Sequence, residues 1–119
     1  MTIGVPCVDE IMKLPTEGRL IVVTGYPASG KTSFVRFLMV RTAHRANRKW
    51  LVFSPEMQPW MSFVAECAEV LAGAPFWAEG GRPRMTDDEA ERAERWLGER
   101  MFMLETDSED EAPTLDWLI

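Results

Sequence analysis

Hydrophobic and polar positions along the 119-residue chain alternate in blocks that predict an α/β order. Val8, Ile11 and Met12 have helical spacing for a turn or two, and residues 15–18 (PTEG) are turn chemistry. Leu20 to Val23 is a continuous apolar run, mostly β-branched, the pattern of a strand buried on both faces of a parallel sheet. From Gly30 to about Ala46 the pattern turns helical, with Phe34, Val35, Phe37, Leu38, Met39 and Val40 covering most of the circumference. Such a helix is expected to be clasped between the sheet and another layer. Residues 50–54 (WLVFS) predict a second strand, so strand, helix and strand make a βαβ unit.

Pro59 opens the next helix, whose apolar face is Trp60, Phe63, Val64, Cys67, Ala68 and Leu71. Gly73 and Pro75 end it, and residues 78–84 are a loop. Thr86 and Glu89 form a capping box for a helix that turns Ala90, Ala93, Trp96 and Leu97 inward. On its wet side Asp88–Arg92 and Glu91–Arg95 are expected i,i+4 pairs. Residues 101–105 predict a third strand, followed by an acidic connector and, from Thr114, the first residues of another helix. A helix of about five residues is too short to hold alone, so the chain is expected to be cut within its fold.

Composition narrows the picture modestly. Hydrophobic residues are 46% and charged residues 27%, which is globular usage and fits one domain. No apolar run is long enough to span a membrane, and Met1–Ile3 lacks a signal-peptide pattern, so a cytoplasmic location is expected. Cys7 and Cys67 stand far apart, outside any metal or redox motif. The single histidine, His44, lies in the polar end of a helix, and Arg45, Arg48 and Lys49 gather there as a solvated helix terminus. A net charge of −6 gives the chain no overall attraction for a polyanion, so any nucleic-acid contact must be local.

The chemistry lies in residues 25–32, GYPASGKT, which match the Walker A pattern G-x-x-x-x-G-K-[ST]. At ordinary residue frequencies a chance match in a chain this size is on the order of a few per thousand. The motif also follows an apolar run and opens an apolar helix. Gly25 and Gly30 are expected to allow backbone angles that aim successive N–H groups at one anion, with Pro27 stiffening the loop. The helix N-terminus adds unpaired donors and partial positive charge. Lys31 is expected to reach the β- and γ-phosphates, and the Thr32 hydroxyl to bind Mg²⁺. Gly25, Tyr26, Pro27, Ala28, Ser29, Gly30, Lys31, Thr32 and Ser33 are thus the candidate nucleotide-binding residues. Glu56 follows the second strand, on the sheet edge where ligands bind. By position it is either a loop glutamate or a base that activates the water attacking the γ-phosphorus.

The segments GRLIVVTGYPASGKT, KWLVFSPEMQP, LAGAPF, MTDDE and FMLETDSEDEAPTLDWLI resemble, in order and spacing, the ATPase domain of DnaB-type replicative helicases. The likeness is greatest to the Twinkle-like branch and runs from about Gly4 to Ile119. It implies a RecA-like fold, a parallel sheet between helices, of which residues 1–119 are an incomplete part. It also implies a ring hexamer that binds ATP with Mg²⁺ and translocates on single-stranded DNA. In the family the glutamate after the second strand is the catalytic base, a role that falls on Glu56; the phosphate contacts fall on Gly25 to Thr32, and Lys31, reaching the phosphates, counts as catalytic beside Glu56. The family's Walker B aspartate, at the end of a later apolar strand, has no counterpart here: the strand at 101–105 ends in Glu105. A RecA-type recombinase, a P-loop kinase and a catalytically silent fragment that docks on a helicase are the other functions the residues allow.

Overall fold

A computed structural model of the chain describes residues 1–15, 18, 20–54 and 60–104. In chain order the elements are α1 (Pro6–Ile11), α2 (Lys31–Ala46), β1 (Trp50–Val52), α3 (Trp60–Ala72), α4 (Asp87–Gly98) and β2 (Met101–Met103). β1 and β2 pair in parallel, with Trp50 opposite Met101, Leu51 opposite Phe102 and Val52 opposite Met103. A parallel pair needs a crossover, and α3 and α4 provide it. The ladder extends by one bond at each end, Trp50 N–H to the Arg100 carbonyl (2.7 Å) and Leu104 N–H to that of Val52 (2.8 Å).

The main core forms where α2, α3, α4 and β2 meet. Met39, Val40 and Ala43 pack with Phe63, Cys67 and Ala68, with Ala93 and Leu97, and with Met85 and Met101. The expected inner faces of α3 and α4 therefore hold, with Trp60, Val64, Leu71, Ala90 and Trp96 half-buried at the margins. The capping box also forms: Glu89 N–H donates to the Thr86 hydroxyl, and Thr86 N–H to the Glu89 carboxylate (2.8 Å). These bonds hold the Glu89 carboxyl below its ordinary range. Thr42 is the buried polar residue of α2. Its hydroxyl donates to the Leu38 carbonyl (2.8 Å) and accepts from the Trp50 indole N–H (3.2 Å), which ties the end of α2 to β1.

A second, smaller core joins the N-terminal segment to α2. Ile3, Leu14 and Leu38 are buried there, with Val8, Met12 and Phe37 packed against them. Asp9 accepts the Ile3 and Gly4 N–H groups (2.7 and 2.9 Å), while Arg41 Nε donates to the Ile3 carbonyl (3.0 Å). Gly4 has φ +80°, and an added Cβ would stand 2.5 Å from Arg45 Nη1. A side chain there would have to displace the flexible ends of Arg45 and Arg41, and the left-handed backbone would strain it in any case.

Five expectations are corrected. Residues 20–23 were expected as a strand buried on both faces; they carry no strand pairing, and Leu20, Ile21, Val22 and Val23 are 90, 52, 71 and 40% exposed. Burial of a strand comes from neighbours, and among the described residues none flanks this run. Likewise α2 is clasped only in its C-terminal half, because Phe34, near its start, is 38% exposed. Ile11 points to solvent at 89% exposure, although Val8 and Met12 pack inward. At α4 the ion pair that forms is Arg84–Asp87 (2.7 Å), not Asp88–Arg92 or Glu91–Arg95. Exposed pairs of this kind are worth so little that competing geometry decides among them. The strands are shorter than expected, and Pro59, Glu105 and the helix from Thr114 lie outside the described residues.

Candidate nucleotide-binding site

The Walker A loop leads directly into α2, whose first residue is Lys31. Tyr26 to Ser29 form a turn in which Ser29 N–H donates to the Tyr26 carbonyl (3.2 Å). Pro27 occupies the turn position its ring pre-sets. The loop is solvent-exposed throughout residues 25–30, and Tyr26 is 87% exposed.

The two glycines act differently from each other, and only Gly25 departs from expectation. Gly30 is left-handed (φ +82°) and serves as the N-cap of α2, as the motif requires. Gly25 is not left-handed; its need is space. A Cβ there would meet Ser29 Oγ at 3.0 Å and Lys31 Cδ at 3.5 Å. The other left-handed residue in the loop is Ala28 (φ +58°), which glycine would fill with less strain.

Lys31 folds back across the loop. Its Nζ donates to the carbonyls of Gly25 (2.9 Å) and Tyr26 (2.7 Å). The ammonium is thereby fixed over the loop that the phosphates would enter. Behind it, the N-terminus of α2 has no side-chain cap and no acidic residue in its first turn. The contrast with α4 is informative: there Thr86 and Glu89 cap the helix, and Asp87, Asp88 and Glu89 fill the first turn. At α2 the first-turn donors and the positive end of the dipole are left for an anion.

Thr32 and Ser33 follow on the first turn, both exposed. Among the described residues no group of His, Cys, Asp and Glu could hold a metal ion. Thr32 and Ser33 offer hydroxyl oxygens there, donors of the type a hard cation such as Mg²⁺ takes. A 330 Å³ cleft lies beside the loop between α2 and α3, lined by Ser33, Arg36, Glu66, Glu69 and Val70. Arg36 is ion-paired with Glu66, and Glu69 accepts the Phe76 N–H (2.9 Å). Two carboxylates make this cleft unsuitable for a triphosphate. Sequence reading did not single out Arg36, because its partner is 30 positions away on another helix.

Residues 25–33 are thus brought together as one loop and helix start. Glu56 lies outside the described residues, and its place relative to Lys31 is not defined. No helix among the described residues is long and apolar enough to cross a membrane.

Fold and site together describe an α/β chain with a small parallel sheet, flanking helices and a Walker A sequence. No family model matches the chain, and no solved structure matches it. It is similar to the Twinkle homolog protein, chloroplastic/mitochondrial, of Arabidopsis thaliana, with 28% identity over 105 residues. That match covers 86% of this chain but 14% of the relative. It supports a relationship to Twinkle/DnaB-like helicases over a small fragment.

Proposed function

We propose that this chain is the Mg-ATP-binding part of a DnaB/Twinkle-like replicative DNA helicase with a RecA-like fold. The observation that carries the reading is the Walker A loop on an uncapped, acid-free helix N-terminus, with Lys31 poised across it. The likeness to the Twinkle homolog adds the helicase class.

In this reading the backbone N–H groups of residues 25–33 receive the phosphates. Lys31 exchanges its two carbonyl acceptors for phosphate oxygens. A charge-assisted hydrogen bond contributes about 1.5–3 kcal/mol, so the exchange is close to neutral in bond count and gains from the opposite charge. Thr32 would hold Mg²⁺ through its hydroxyl, and the ion would supply positive charge that offsets that of the phosphates. Glu56 takes the proton of the attacking water. In the complete protein, hydrolysis is coupled to translocation on single-stranded DNA by a homo-hexamer.

The test uses two substitutions. Lys31→Ala is expected to abolish nucleotide binding. Glu56→Gln in the complete protein is expected to keep binding and lose turnover. Normal hydrolysis by the Glu56→Gln protein would remove Glu56 from the mechanism, and nucleotide binding by Lys31→Ala would remove the phosphate site.

A further inference from the structure

The packing of α2 is uneven along its length. Its buried residues are Leu38, Met39, Val40, Thr42 and Ala43, all from position 38 onward. Near its start Thr32, Ser33 and Phe34 are exposed, and the Leu20–Val23 run that leads into the loop gives no cover. Val35 and Phe37 are half-buried at the margins of the two cores. Yet this is the part of the helix that carries the Walker A residues. A helix end with so few buried contacts is prone to local opening.

Arg36 supplies what the apolar contacts do not. It lies one turn beyond Thr32, and its guanidinium is ion-paired with Glu66 of α3. The chain carries no Asp or Glu between residues 18 and 55, so this counter-charge has to come from another element. The Arg36 side chain is 14% exposed and that of Glu66 46%. Arg36 Nε is buried and has no hydrogen-bond partner among the described residues. A guanidinium placed so depends on its carboxylate for compensation. Its charge also reaches the neighbouring Cys67 thiol: burial pushes that pKa up, and Arg36 opposes the push. Glu69, the other carboxylate of the cleft, is engaged by the Phe76 N–H (2.9 Å). A pair between two exposed residues would be worth little. With Arg36 largely withdrawn from water, the pair anchors the start of α2 to α3.

We propose that Arg36 is a positioning residue for the phosphate site: paired with Glu66, it fixes the start of α2 on α3 and so sets where Lys31 and the first-turn N–H groups stand. The inference rests on the nucleotide-binding reading of residues 25–33.

The test pairs two measurements on the full chain, titration with Mg-ATP and amide hydrogen exchange without nucleotide. Arg36→Met keeps an unbranched stem and removes the charge. Its Kd for Mg-ATP is expected to rise about tenfold, the equivalent of one weak charge-assisted hydrogen bond to phosphate. Amides of Phe34 to Phe37, whose acceptors lie at the helix start, are expected to exchange about tenfold faster, while those of Val40 to Ala43 keep their rate. Arg36→Lys, which restores the charge, stays within about threefold of wild type in both readouts. Arg84→Met, which breaks the exposed Arg84–Asp87 pair, stays within about twofold. If Arg36→Met alters the circular dichroism spectrum, Glu66→Gln tests the same pair from its exposed side and is expected to move both readouts in the same direction. Unchanged affinity in the variant that carries the test would overturn the proposal. Faster exchange throughout α2, or equal losses in Arg36→Lys and Arg36→Met, would overturn it in favour of a merely structural role. A wild-type chain that binds no Mg-ATP would remove the phosphate site and this role with it, a result distinct from equal binding by wild type and Arg36→Met.

Discussion

Gly25→Ala separates the two reasons a Walker glycine can be needed. Gly25 does not occupy the left-handed region, so alanine brings little backbone strain. Its Cβ would stand 3.0 Å from Ser29 Oγ and 3.5 Å from Lys31 Cδ. The second distance is ordinary contact; the first requires Ser29 to give way by a few tenths of an ångström. Pushing a side chain about 30° off its rotamer costs roughly 0.5–1.5 kcal/mol. Because the strain falls on the loop that carries Lys31, it should appear in nucleotide binding. At 1.4 kcal/mol per factor of ten, the Kd for Mg-ATP should rise about two- to tenfold. Global stability, set by the cores around Val40 and Leu38, should stay within about 0.5 kcal/mol, as for surface changes away from such features. The assay is equilibrium titration with a fluorescent ATP analogue, alongside thermal unfolding. The cycle closes with Ser29→Ala, which removes Oγ: Gly25→Ala/Ser29→Ala should bind more tightly than the two single effects predict. Purely additive effects, or unchanged affinity in Gly25→Ala, would refute the steric account of this glycine.

Thr86→Ala removes the capping hydroxyl and should cost about 1 kcal/mol in denaturant unfolding. The Thr86 N–H and, secondly, its hydroxyl lower the Glu89 pKa. The hydroxyl's share of stabilisation, which alanine removes, is therefore present above the ordinary pKa and is lost as pH falls through the folded value. The wild-type advantage over Thr86→Ala should therefore shrink on acidification, and a pH-independent difference would contradict the account. Gly4→Ala forces a side chain into a left-handed position and against two guanidinium groups. It should lose about 1–2 kcal/mol from the backbone alone, measured by the same unfolding titration. Burial pushes the Cys67 thiol up to about 12, whereas Cys7 is exposed. At pH 8 an aromatic disulfide reagent should titrate one thiol in the native chain and two in denaturant.

What could be read from the sequence was the information that is local. The Thr86–Glu89 box and the inward positions Ala93 and Leu97 depend on residues three to four apart, and they appear in the structure as the pattern states. Phe63, Cys67 and Ala68 follow the same logic on α3. The Leu20–Val23 run shows the opposite case. Its composition states a preference for burial, but only flanking strands satisfy it, and the run stands exposed. The N-terminal clasp was also missed, since Arg41 meets Ile3 across 38 positions and no local period announces it. So was Met85, buried against the main core with its N–H on the Pro75 carbonyl (2.9 Å) just past a loop. In the candidate site, the Walker spacing located Gly30 and Lys31, while the steric role of Gly25 and the left-handed Ala28 depend on how the loop folds back on Ser29 and Lys31, which spacing does not state.

The central claim is that residues 25–33 receive the phosphates of Mg-ATP. Backbone amide chemical shifts of the ¹⁵N-labelled chain, followed through a titration with Mg-ATP, test it most directly. The account predicts saturable shifts concentrated at Gly25 to Ser33, absent in Lys31→Ala. Shifts absent from this loop, or centred on the His44–Trp96 end of the molecule, would contradict it.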